Sequence, residues 1–125
     1  MVGISSDGQW IAFQSIPGVT PTQGIHIVPM FGGESRVPYP SAPFTGHPFF
    51  SPSGRWLYFQ LEHKNFYRVP GPAQDWKQAE PQKVTDFPES AGLFLEDPQL
   101  SRDGKQLLYS RGKIAGDIWI LKRGK

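Results

Sequence analysis

At 125 residues, with 38% hydrophobic and 14% aromatic residues, the chain has the length of one domain and enough apolar matter for a globular core. A formal net charge of +2 is too mild to argue for nucleic acid, and the lack of cysteine removes disulfides and thiolate metal sites. No apolar run approaches the length of a membrane span, and Met1-Val2-Gly3-Ile4 lacks the basic-then-apolar order of a signal peptide.

The first element, Val2-Gly3-Ile4, reads as a short strand running into the turn Ser5-Ser6-Asp7-Gly8. Glycine takes the left-handed backbone conformation that a Cβ resists, and Asp7 can hydrogen-bond the backbone of its own turn. Next comes Trp10-Ile11-Ala12-Phe13, apolar on both faces and so expected to be sandwiched between sheets. Ile25-His26-Ile27-Val28 and the short Ser35-Arg36-Val37 complete a unit of four strands.

The pattern then starts again. Pro48-Phe49-Phe50 leads into Ser51-Pro52-Ser53-Gly54, followed by Trp56-Leu57-Tyr58-Phe59, Phe66-Tyr67-Arg68-Val69 and Gln82-Lys83-Val84. A third pass gives Pro98-Gln99-Leu100, the turn Ser101-Arg102-Asp103-Gly104, a strand through Leu107 and Tyr109, and Ile118-Trp119-Ile120-Leu121. The turn glycines stand 46 and then 50 residues apart, and each has an aromatic five residues on: Phe13, Phe59 and Tyr109. With 14 Gly and 13 Pro spread along the chain, no useful stretch is left for a helix.

A period of this size reads as the blade of a β-propeller, a unit that cannot bury its own apolar faces and must stack on neighbours. The expected fold is all-β, a partial propeller of about three blades over 1–45, 46–92 and 93–125. Ser-x-Asp-Gly before a short aromatic-bearing strand, a loop and an Ile-x-Ile or Trp-Ile strand resembles the TolB-type, WD-like propeller repeat, from Ile4 to Leu121. That resemblance implies rings of six to eight blades. The segment from Tyr109 to Leu121 looks like the last blade of bacterial proteins in which such repeats follow a winged-helix regulator or a kinase domain. The middle copy departs from the pattern in having Ser53 where Asp is usual, which weakens the side-chain cap of its turn.

Chemistry is sparse. His26, His47 and His63 fit no metal-ligand spacing and read as structural or surface residues. There is no Gly-x-Ser-x-Gly elbow, the prominent serines have a turn-forming explanation, and Gly32-Gly33 lacks phosphate-loop context. Trp10, Trp56 and Trp119 are expected in the core between blades, and the basic tail Lys122, Arg123 and Lys125 as a solvated terminus. Among Asp86, Glu89, Glu96 and Asp97, the pair Glu96 and Asp97 is a candidate for holding a cation or a basic peptide at the central channel, the alternative being a solvated loop. Trp76, in a long polar loop, is a candidate partner contact.

The reading is therefore a non-catalytic binding platform without cofactor or metal, contacting a protein or peptide and no nucleic acid or membrane. It is expected to be the C-terminal part of a larger bacterial regulator or sensor; the alternative is the accessory propeller of a prolyl-oligopeptidase-like serine peptidase. The units supply four, four and three strands, and the chain opens directly on an inner strand. Two apolar faces are thus expected to lie uncovered, to be met by the remaining blades of a parent or by a second copy in a head-to-tail ring.

Overall fold

The computed structural model of the chain describes residues 2–14, 24–39, 45–61, 64–72, 80–88, 92–113 and 120–124. Within them the backbone forms three antiparallel sheets and no helix. The first is the meander β1 (Val2–Ile4), β2 (Trp10–Gln14), β3 (Ile25–Pro29) and β4 (Arg36–Tyr39). The second repeats it with β5 (Thr45–Phe50), β6 (Trp56–Leu61), β7 (Phe66–Pro70) and β8 (Gln82–Lys83). The third has β9 (Leu93–Leu100), β10 (Leu107–Lys113) and β11 (Ile120–Gly124). The chain is thus an all-β partial propeller.

The end of the third sheet differs from expectation. Its last strand runs past Leu121, so the backbone of Lys122 and Arg123 pairs with Tyr109 and Leu108. Backbone pairing is indifferent to side-chain charge, and basic residues are common on a sheet's edge strand, where they deter further pairing.

Each first hairpin is fastened by one small hydrogen-bond box. In the first sheet Ser5 and Trp10 exchange backbone and side-chain bonds: Ser5 N donates to Trp10 O at 3.0 Å, and Trp10 N to Ser5 Oγ at 3.0 Å. Ser5 Oγ in turn donates to Asp7 Oδ1 at 2.6 Å, which also accepts from Gln9 N at 3.0 Å. Ser101, Asp103, Lys105 and Gln106 repeat this at 2.6 Å for the hydroxyl–carboxylate bond and 3.0–3.1 Å for the two bonds from backbone N–H groups. In the middle copy Ser53 takes the carboxylate's place, and its contacts to Ser51 Oγ and Arg55 N both lengthen to 3.3 Å. Gly8, Gly54 and Gly104 hold φ of 72°, 76° and 73°, which completes the turn where a Cβ would be strained.

Two apolar layers stack the sheets. Ala12, Ile25 and Ile27 of the first sheet bury against Phe50, Leu57, Phe59 and Val69 of the second. Between second and third sheets Phe66 meets Leu95, Leu107 and Tyr109, with Phe49 and Phe87 at the margin. Rings continue across that second junction: Phe49 stacks on Tyr58 at 5.2 Å, Phe66 lies 5.9 Å from Tyr109, and Phe87 meets Tyr109 edge-on at 6.3 Å. Burying each such side chain contributes roughly 1.5–3 kcal/mol.

Asn65 sets the position of Phe87. Its Oδ1 accepts from Thr85 Oγ1 and Phe87 N, both at 2.8 Å, while its Nδ2 donates to Phe87 O at 2.8 Å. The segment after β8 is thereby held against the third sheet. Trp10 and Trp56 are not deep core: both are half-buried beside the turns, with the Arg36 guanidinium 5.5 Å and the Arg68 guanidinium 3.9 Å from their ring centres. Trp119 lies outside the described residues.

Replacing Gly54 or Gly104 by Val is expected to lower unfolding free energy by about 1–3 kcal/mol, read from urea melts. The boxes also carry a pH signature. The Ser5 hydroxyl, then the Gln9 N–H, holds the Asp7 carboxyl below its ordinary value, and Ser101 with Lys105 N–H does the same for Asp103. A depressed folded-state value means that this stabilisation is full above the unfolded carboxyl range and is lost as pH falls through the folded one. Asp7→Asn/Asp103→Asn should therefore lose less stability than wild type between about pH 5 and pH 2. Ser53→Asp should raise the melting temperature at neutral pH by roughly 2 °C and steepen the acid loss.

Candidate functional site

The inner strands β1, β5 and β9 converge where the three sheets meet. Gly3 has no Cβ because the Pro48 carbonyl of the next inner strand occupies that place. Both later inner strands slip register: β5 between Gly46 and Phe49 against β6, and β9 opposite the step from Leu108 to Ser110. Each irregularity contains an Xaa-Pro pair, His47-Pro48 and Asp97-Pro98, since proline has no N–H to give to a ladder and is tolerated at a bulge.

These irregularities open a groove of about 480 Å³ lined by Val2, Gly3, Pro48, Phe49, Asp97, Pro98 and Gln99. The residues come from equivalent positions of the three repeats, counted back from Ser5, Ser51 and Ser101. The walls are mainly apolar, and the one ionisable side chain is Asp97. Its backbone sits at φ 53°, the only non-glycine residue with positive φ among the described residues, directly before a proline. That conformation stores strain and aims the residue out of the strand's regular alternation.

Ser110 Oγ donates to Glu96 O at 3.2 Å and lies 3.5 Å from Asp97 Oδ2. A hydroxyl has one proton, and the shorter contact claims it, so the exposed Asp97 carboxylate keeps most of its capacity to accept. Glu96 is half-buried and does not line the groove. Both residues lie within strand β9, not in a loop. Asp86 is spent on an exposed ion pair with Lys83 at 3.0 Å, and Glu89, His63 and Trp76 fall outside the described residues. His26 is buried and stacked on Phe13 at 5.2 Å. Among the described residues no three His, Asp or Glu side chains come together as a metal site would require.

The sequence analysis singled out Asp97 as a site candidate and read the other groove residues only as the inner strands of the three repeats. The signal was available as the Xaa-Pro pair three residues ahead of Ser51 and Ser101. It also passed over Phe31, which stands 95% exposed at the tip of the β3–β4 hairpin, held up by Gly32 and Gly33 at positive φ.

Comparison with solved structures agrees with this architecture. The chain is similar to an oligogalacturonate lyase in complex with manganese (16% identity, TM-score 0.70, 98% of this chain and 37% of that one). It is similar to TolB from Acinetobacter baumannii (17% identity, TM-score 0.68, 98% of this chain and 28% of that one). A lyase of the same kind from Vibrio parahaemolyticus matches at 14% identity and TM-score 0.66, over all of this chain and 38% of that one. No family model and no curated protein matches the sequence. At these identities the likeness establishes the fold, a TolB-like β-propeller segment, and the chain spans between about a quarter and two fifths of its neighbours' length.

Relief of strain gives a test of the site's geometry. Asp97→Gly is expected to stabilise the fold by about 0.5–1 kcal/mol and Asp97→Val to destabilise it, both in urea melts.

Proposed function

We propose that this chain is a non-catalytic binding platform that takes an extended peptide or protein segment in the groove between β1, β5 and β9. The observation that carries the reading is the pairing of apolar walls with one strained, available carboxylate. Val2, Pro48, Phe49 and Pro98 offer contact area to aliphatic stems, and Asp97 offers a partner to a lysine or arginine head. A platform of this kind fits the C-terminal part of a larger bacterial regulator or sensor, with further blades of that parent completing the ring.

The likeness to two oligogalacturonate lyases favours a second reading, in which the complete ring acts on an acidic oligosaccharide. Charge separates the two: within this groove an anionic sugar meets a carboxylate, whereas a basic peptide meets its counter-charge.

Fluorescence anisotropy with labelled ten-residue peptides, identical except for two lysines or two glutamates, tests the first reading. The lysine peptide is expected to bind more tightly. Asp97→Asn should weaken it by about two- to fivefold, the size expected of an exposed charge pair, and added salt should do likewise. Equal binding of both peptides would remove the proposal. Incubation with oligogalacturonate and manganese(II) is expected to leave ultraviolet absorbance unchanged; growth of the absorbance of an elimination product would favour the lyase reading.

A further inference from the structure

The main-chain chemistry of the groove narrows what it can take. Each of β1, β5 and β9 pairs with one neighbour only and so keeps a free edge. Ser5, Ser51 and Ser101 donate their N–H groups across the ladders to Trp10, Trp56 and Gln106 O. Main-chain groups of an antiparallel ladder point alternately at the partner strand and away from it. Counted back from those serines, Gly3, Phe49 and Gln99 turn theirs to the neighbouring strand, whereas Val2, Pro48 and Pro98 turn theirs to the free edge. Pro48 O accordingly lies against Gly3 of β1. Proline has no N–H, so two of these three groove-lining edge positions accept hydrogen bonds but cannot donate them.

A ligand laid in as an added strand needs donors and acceptors in turn along the edge that receives it. Against Pro48 and Pro98 its carbonyls lose water and find no donor. A polyproline II helix makes no such demand, because it has no backbone hydrogen bonds and keeps its carbonyls in water. What it needs is apolar contact for its ridges. Phe49 offers this from a fixed position, stacked on Tyr58 at 5.2 Å and edge-on to Phe66 at 6.3 Å, so its ring has little freedom left to lose on binding. The half-buried Pro98 and the exposed Val2 add to that wall. Among the described residues lining the groove, the exposed Gln99 has the one side-chain N–H donor, suited to a ligand carbonyl.

We infer that the groove's ligand is a proline-rich segment in the polyproline II conformation carrying a lysine or arginine. Its rings lie on Phe49 and Pro98, one carbonyl accepts from the Gln99 amide, and the basic head meets Asp97. The inference rests on the reading of the groove as a peptide site and deepens it by assigning the ligand's backbone. Such a segment holds its bound shape before it binds, so little ordering entropy opposes the contact.

Fluorescence anisotropy with the full chain compares two labelled peptides that carry the same lysines. One is filled with proline and the other with alternating valine and threonine, which favour an extended strand. The proline peptide is expected to bind about fivefold more tightly or better. Gln99→Ala should weaken it by about two- to fivefold without altering the circular dichroism, since that side chain is exposed. Pro98→Ala returns an N–H to the free edge, so it should tighten the valine–threonine peptide and weaken the proline one, a pair of opposite shifts that misfolding cannot produce. Equal binding of the two lysine peptides, or tighter binding of the valine–threonine one, would overturn this inference and leave the charge reading standing; binding of neither would overturn both. An unchanged affinity of Gln99→Ala for the proline peptide, or a folded Pro98→Ala chain that shifts both peptides alike, would also overturn it.

Discussion

Burial of one sheet's face against the next is the interaction on which the structure depends. A four-stranded meander such as β1–β4 has apolar residues on both sides, with Ala12, Ile25 and Ile27 facing forward and Ile4, Ile11 and Phe13 facing back. Neither side can be satisfied within the sheet itself, so stability comes from neighbour terms, as in any stacked-repeat architecture. The two internal junctions meet this need by different means. Small and β-branched side chains receive large rings at the first, whereas at the second the aromatic series Tyr58, Phe49, Phe66, Tyr109 and Phe87 crosses from sheet to sheet.

The turn boxes serve this stacking by fixing where each sheet begins. Ser5, Ser51 and Ser101 each close the first hairpin through the same backbone and hydroxyl bonds, and adjacent turns touch, with Ser6 Oγ donating to Pro52 O at 2.6 Å. The middle box keeps its geometry with a serine in place of the carboxylate because the glycine and the main-chain bonds carry the turn, and the acidic cap only strengthens it. The groove is shaped by positions that depart from the repeat. Proline in β5 and β9 breaks the ladder within the inner strands, and Asp97 beside the second break lines the groove.

Much of this was legible in the chain because a repeat prints its own rules. Serine–glycine spacing marked the three hairpins. Glu96 and Asp97 were singled out as a channel pair, yet they part company in the structure. A bulge puts Asp97 in the groove wall and leaves Glu96 half-buried, and periodicity alone carries no information about where a ladder slips. The half-burial of Trp10, which packs against the first junction's core, and of Trp56 was illegible for a related reason. Hydrophobicity says that a side chain seeks cover but not what covers it, and here Arg36 and Arg68 lie over Trp10 and Trp56.

By itself the sequence determined the class of fold, the strand order within each sheet and the turns, because these follow from local backbone preference and a side-chain period of two. Tertiary structure alone decided which faces of the described sheets bury against each other, and that the groove draws equivalent residues from three strands about fifty positions apart. Those properties arise from contacts between units, whose energies depend on which side chains meet across a gap and not on the order in which they follow one another.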